Sequence, residues 1–123
     1  SVRQLAMTQA AGGPVIVNFF ASWCVPCLQE APTLMALKAQ GVRVIGIAYE
    51  DDPAASAAFL RRTGNPYSDV LVDRDGRAGV EFGISGVPES YLIGPDGKIL
   101  GKFGGPLMPD TAETLLESGR PAR

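Results

Sequence analysis

The chain has 123 residues, enough for one domain and one core, so a single domain over residues 1–123 is expected. It is 46% hydrophobic and 20% charged, which suits a folded globular protein rather than a disordered tail. Eleven basic against thirteen acidic residues give a formal charge of -2 without a block of like charge, so neither nucleic acid nor an anionic membrane is an expected partner.

After a polar lead, Gly12-Gly13-Pro14 interrupts the pattern, and Val15 to Phe20 reads as a buried strand. This apolar run reaches Trp23 with breaks at Asn18 and Ser22, far short of the roughly 20 residues that cross a bilayer. Ser22 is the expected cap of a helix running to Gly41, with Cys24 and Cys27 in its first turn and a kink at Pro32. Val42 to Ala48 is rich in β-branched residues and reads as a second strand. Asp52-Pro53 then opens a helix with Ala55, Ala58 and Phe59 on one face, closed at Asn65-Pro66. Val70 to Val72 is a short strand, followed by a turn at Asp73 to Gly76 and a helical piece ending near Gly83. Ser90 to Ile93 and Lys98 to Phe103 flank Gly94-Pro95-Asp96-Gly97, which predicts an antiparallel hairpin. Pro109 to Ser118 is the last helix, with Ala112, Leu115 and Leu116 inward. The expected fold is α/β, a central mixed sheet with helices on both faces and the site at the carboxyl ends of the strands.

The chain contains no histidine. That excludes Ser-His and Cys-His hydrolytic pairs, an imidazole general base and histidine-ligated zinc. Two cysteines are too few for a disulfide-stapled scaffold, so the information lies in their spacing, Cys24-Val25-Pro26-Cys27. A cysteine at a helix start meets unpaired N–H groups and the positive end of the dipole, which favours the thiolate at Cys24. Cys27, one turn inward, is placed to attack the Cys24 sulfur once a mixed disulfide has formed. Cys24 is therefore the expected outer, more exposed thiol. A purely structural disulfide is the plainer alternative, but closing so short a loop stabilises by only about 2 kcal/mol. Half a zinc site would need two further ligands that the sequence does not offer, and no metal or cofactor is expected.

The run Phe19-Phe20-Ala21-Ser22-Trp23-Cys24-Val25-Pro26-Cys27, with Pro32 downstream and Gly86-Val87-Pro88 far along the chain, resembles the thioredoxin superfamily. Gly64-Asn65-Pro66-Tyr67, Asp73-Arg74-Asp75-Gly76 and Gly83 to Ile93 are similar to the CcmG/DsbE thiol:disulfide interchange proteins of bacterial cytochrome c maturation, over about Gly13 to Met108. The resemblance implies a thioredoxin-like fold and a periplasmic, membrane-anchored reductant of apocytochrome c or its thiol carrier. It also implies recharging by a membrane electron conductor of the DsbD/CcdA type, and a monomer is expected. Members of that family carry a membrane anchor and a leading β-hairpin. Only Ser1 to Pro14 precedes the first strand here, so a trimmed or partial domain is expected.

The same resemblance makes Pro88 a cis proline opposite the cysteines and Val87 a backbone partner for an extended substrate. Asn18 stands where cytosolic thioredoxins keep a buried aspartate, so protons must be handled elsewhere. Glu30, three residues after Cys27, is the candidate for that role; otherwise it is a solvated helix residue. Trp23 is read as a substrate rim or a core aromatic. Glu89, with Glu30 and Glu50, is expected to make that rim acidic. Gly104-Gly105 is either a turn or a close-approach point for substrate backbone. Two alternatives stay open: a general periplasmic disulfide reductase, and a redox-inert module that binds extended peptides in the same groove.

Overall fold

A computed structural model describes residues 1–120, so the last three residues of the expected domain lie outside the described part. The core is a five-stranded sheet ordered β3-β2-β1-β4-β5. Its strands are β1 (Val15–Phe20), β2 (Val44–Tyr49), β3 (Asp69–Asp73), β4 (Glu89–Ile93) and β5 (Ile99–Gly104). β1, β2 and β3 run parallel, whereas β4 is antiparallel to both β1 and β5. The helices are α1 (Val2–Gln9), α2 (Val25–Ala39), α3 (Pro53–Thr63), α4 (Arg77–Phe82) and α5 (Pro109–Glu117). Among the described residues no helix is long and apolar enough to cross a membrane.

Alternation along β1 builds both cores from one strand. Ile16 and Phe20 face α2, α3 and α5, packing with Leu34, Leu37, Phe59, Ala112 and Leu115. Val15, Val17 and Phe19 face α1 and α4, packing with Val2, Ala6 and Phe82. The adjacent Phe19 and Phe20 therefore enter separate aromatic clusters, Phe19 meeting Phe82 at 5.3 Å edge-on and Phe20 stacking on Tyr67 at 5.0 Å. The two parallel crossovers, through α2 and α3, lie on the same face because each moves one strand in the same direction with the same hand. The mixed sheet, the hairpin and helices on both faces agree with the sequence reading.

Four local details differ from it. The polar lead is helical: Ser1 Oγ accepts from the Gln4 N–H at 3.2 Å in a capping box, and Val2, Ala6 and Ala10 form a narrow buried stripe. Two of those three residues are alanines, so the stripe carries little hydrophobic signal. Helix α2 starts later than expected, with Cys24 rather than Ser22 as its N-cap. The β2 strand begins at Val44 instead of Val42, because Gly41 turns at φ +84° and the Val42 N–H still closes the helix on Leu37 O at 2.9 Å. On α3, Ser56 and Phe59 are the buried positions, with Ala55 and Ala58 only half-buried.

Candidate active site

β1 delivers the chain to the carboxyl edge of the sheet, where Ala21 to Cys24 turn into α2. The turn is closed by the Cys24 N–H donating to Ala21 O at 3.2 Å. Cys24 has extended backbone, φ -96° and ψ 110°, and caps α2, so its sulfur stands at the positive end of the helix. It is joined to Cys27 by a disulfide with a Cα–Cα distance of 5.4 Å. Both residues are buried, at 4% and 3% exposure. In this oxidised form the two are buried almost equally, and what separates them is position along the helix. Trp23, by contrast, is 58% exposed, and Val25 and Leu28 stand out with it, so it is a rim residue and not a core aromatic.

One turn beyond Cys27, Glu30 is fully buried. Its Oε1 accepts from the Leu107 N–H at 3.1 Å and its Oε2 from the Asn18 amide at 3.2 Å. Burial pushes its pKa from 4.5 up to about 7, against the opposing pull of the Leu107 and Asn18 hydrogen bonds. The solvated-helix reading of Glu30 is excluded by this burial.

Asn18 is the hub behind it. Its Nδ2 also donates to Ser90 Oγ at 2.9 Å, across the β1–β4 register, and its Oδ1 accepts from the Tyr67 hydroxyl at 2.7 Å. Tyr67 fits because β2 carries glycine beneath the ring: a Cβ on Gly46 would lie 2.6 Å from Tyr67 Cδ2. Asn65 fixes the approach, its Oδ1 accepting the Tyr67 N–H at 3.0 Å. Burial and the nearby Glu30 charge hold the Tyr67 hydroxyl well above its ordinary pKa, so it stays protonated and donates. The Asn-Pro-Tyr segment, noticed in the sequence only as a resemblance, is thereby the third member of a buried chain that ends on Glu30.

The Val87–Pro88 bond is cis. Pro88 is buried, Val87 packs against the cluster that holds both cysteines, and the Pro88 carbonyl accepts the Gly105 N–H at 2.9 Å. Gly105 itself has φ +108°, which puts it in the turn reading of Gly104-Gly105.

Glu89 does not join the rim. Strand alternation aims it at the face opposite Asn18 and Ser90, where it is 5% exposed. Its carboxylate accepts from the Ser85 N–H at 2.8 Å, the Gly86 N–H at 3.1 Å and the Tyr91 hydroxyl at 2.7 Å, with Lys102 Nζ at 3.8 Å. It braces the loop that leads into the cis proline. With Glu30 and Glu89 both buried, the expected acidic rim is reduced to the exposed Glu50, and the surface beside Cys24 is mainly apolar. The alternation of Glu89, Ser90 and Tyr91 along a strand was the signal that could have shown this from the sequence.

Chemically, the arrangement supplies a sulfur at a helix N-terminus, a second sulfur to resolve it, and a buried carboxyl able to exchange a proton near neutral pH.

The Redoxin family model matches residues 3–116. HelX of Rhodobacter capsulatus, a thiol:disulfide interchange protein, is 39% identical over 102 residues, covering 83% of this chain and 58% of HelX. DsbE of Escherichia coli K12, also a thiol:disulfide interchange protein, is 42% identical over 106 residues, 86% of this chain and 57% of DsbE. The chain thus spans less than three fifths of the length of these relatives. The solved structure of a thiol:disulfide interchange protein of the thioredoxin family from Chlorobium tepidum superposes with a TM-score of 0.72 at 25% identity, covering 91% of this chain and 83% of that one. The fold is thioredoxin-like.

Proposed function

The chain belongs to the redoxin family, and on that footing we propose that it is a thiol:disulfide oxidoreductase working as a protein disulfide reductase. The observation that carries this reading is the Cys24–Cys27 disulfide at the α2 N-terminus with the Glu30 carboxyl buried one turn behind it.

In the reduced protein the Cys24 thiolate, favoured by the helix end, attacks one sulfur of a substrate disulfide. A Cys24–substrate bond forms and one substrate thiolate leaves. Cys27 then loses its proton to the Glu30 carboxylate and attacks the Cys24 sulfur. The Cys24–Cys27 disulfide forms as the Cys24–substrate bond breaks, the second substrate sulfur leaves as a thiolate that takes a proton from solvent while Glu30 returns its own proton to solvent, and two electrons have passed to the substrate. The oxidised protein is returned to the dithiol by an external dithiol, whose two sulfurs exchange in turn with the Cys24–Cys27 bond and end joined to each other as a disulfide. Val87, beside the cis proline, offers its backbone to an extended segment of substrate, with Trp23 flanking it. No histidine lies between the cysteines to stabilise the thiolate further, and a buried carboxyl disfavours a second negative charge; both weight the equilibrium towards reduction of substrates.

The cellular setting follows from the resemblance to the cytochrome c maturation proteins. The substrate is apocytochrome c or its thiol carrier, the electron source is a membrane conductor of the DsbD/CcdA type, and the site is periplasmic, on a full-length protein anchored in the membrane. One observation favours a broader role. The apolar rim of Trp23, Val25 and Leu28 lacks the acidic selection expected from Glu30 and Glu89, which suits a reductase accepting many polypeptides. Trapping decides between them: Cys27→Ser should hold the mixed disulfide on Cys24, and mass spectrometry of the adducts identifies the partners. Recovery of cytochrome c precursors or one carrier supports the narrow role, and a spread of unrelated proteins supports the broad one. Failure of Cys27→Ser to accumulate any adduct while the wild type turns over would refute the Cys24-first mechanism.

A further inference from the structure

The two residues that precede Cys24 are both held from outside α2, by the loop that joins β2 to α3. Asp51 in that loop is buried, and its carboxylate accepts from four donors: the Ser22 N–H at 2.7 Å, Ser22 Oγ at 2.8 Å, Ser56 Oγ at 2.9 Å and the Asp52 N–H at 2.9 Å. Burial alone would raise its pKa, yet these bonds bring it below the usual carboxylate value, so the acceptor is ionised throughout the working range. The neighbouring Glu50 carries the only positive φ among the described non-glycine residues, +45°. Its N–H is tied to Asp73 O at 2.7 Å and its carbonyl accepts from Trp23 Nε1 at 3.2 Å. The left-handed bend at Glu50 lets consecutive residues aim a carbonyl at Trp23 and a carboxylate at Ser22. A helix cap and a strand end need neither contact, because α3 is already capped by Asp52.

We propose that Asp51, acting with the Glu50 carbonyl, is a positioning residue that pre-sets the Ser22–Trp23 turn so that the exposed indole is already in place when a polypeptide disulfide docks beside Cys24. This rests on the oxidoreductase reading above and adds a specificity element to it. An indole fixed before binding gives up no rotamer freedom on docking, so the gain falls on the binding of polypeptides that reach the rim. A small disulfide that touches only the sulfurs receives none of it.

The test uses reduced wild type, Asp51→Ala and Ser22→Ala. Each is assayed with a synthetic peptide bearing a Cys-x-x-Cys disulfide and with hydroxyethyl disulfide. Loss of the clamp in Asp51→Ala is expected to raise the peptide KM about tenfold, the scale of one lost hydrogen bond, with kcat and the hydroxyethyl disulfide KM each moving less than about twofold. Ser22→Ala removes one of the four bonds and keeps the others, so it remains informative if Asp51→Ala does not fold; a rise of about threefold is expected. Trp23 is the sole tryptophan, and its fluorescence anisotropy should fall in both variants. An unchanged peptide KM with unchanged anisotropy overturns the proposal, as does an equal loss on both disulfides. Wild type that exchanges with neither disulfide overturns the oxidoreductase reading instead.

Discussion

Glu30→Gln isolates the energetic cost of burying a carboxyl one helical turn beyond Cys27. The folded protein holds this group at about 7 against 4.5 for the free side chain. At about 1.4 kcal/mol per pH unit, the gap corresponds to roughly 3 kcal/mol between the two ends of the titration. The sign follows from which state keeps the proton. Between about pH 4.5 and 7 the unfolded chain ionises first and binds fewer protons than the folded one, so wild-type stability falls as pH rises through that window. Below it the protonated carboxyl contributes its full stability; above it that contribution is gone. Because Glu30 is fully buried, solvent screening takes little from this figure. The assay is urea unfolding of the oxidised proteins at intervals from pH 4 to 8, where the disulfide removes thiol titration from the comparison. Glu30→Gln loses a few tenths to about 1.5 kcal/mol at low pH, because its amide nitrogen meets the Asn18 donor, but should show a flatter profile and overtake wild type near neutrality. Parallel profiles for the two proteins would refute the buried titration and, with it, the proton role given to Glu30.

Two further substitutions probe the supports of the site. Gly46→Ala should destabilise by about 2 to 4 kcal/mol in thermal unfolding, since its methyl group meets the Tyr67 ring 2.6 Å away and must displace the hydroxyl from Asn18; a loss under about 0.5 kcal/mol would mean that Tyr67 is not held there. Glu89→Ala strands the Tyr91 hydroxyl and two loop N–H groups, so a loss of about 3 kcal/mol is expected, together with faster hydrogen exchange at Ser85 and Gly86. A surface-like loss with unaltered exchange would return Glu89 to the rim.

How far these features could be read from the sequence depends on the range of the interaction that fixes each one. The βαβα order, the Asp52-Pro53 cap and the Gly94 to Gly97 turn are set by local chemistry, and all three stand where the pattern put them. Helix α1 escaped because its buried stripe is made of small side chains, whose burial depends on the sheet face beneath them. The cysteine motif and Pro88 were legible because the resemblance rests on contiguous residues. The residues around the pair come from five separated segments: Asn18, Tyr67, Ser90 and the Leu107 amide in the network on Glu30, and Asp51 on the Ser22 turn. Each is ordinary in its own stretch; the sheet register pairs Asn18 with Ser90, and the loops that carry Asp51, Tyr67 and Leu107 bring the rest to the same end of the fold. Glu30 and Glu89 show the limit most clearly. One carboxylate just after the cysteines and one just after Pro88 suggested an acidic surface, but helix and strand periodicity turn both inward, on opposite sides of the sheet. Burial leaves Glu30 able to take a proton despite the Leu107 and Asn18 donors, and Glu89 accepts from three donors with a lysine nearby. Burial thus turns both carboxyls away from the surface, Glu89 onto the loop before the cis bond, and leaves Trp23, Val25 and Leu28 as the large apolar side chains exposed around Cys24.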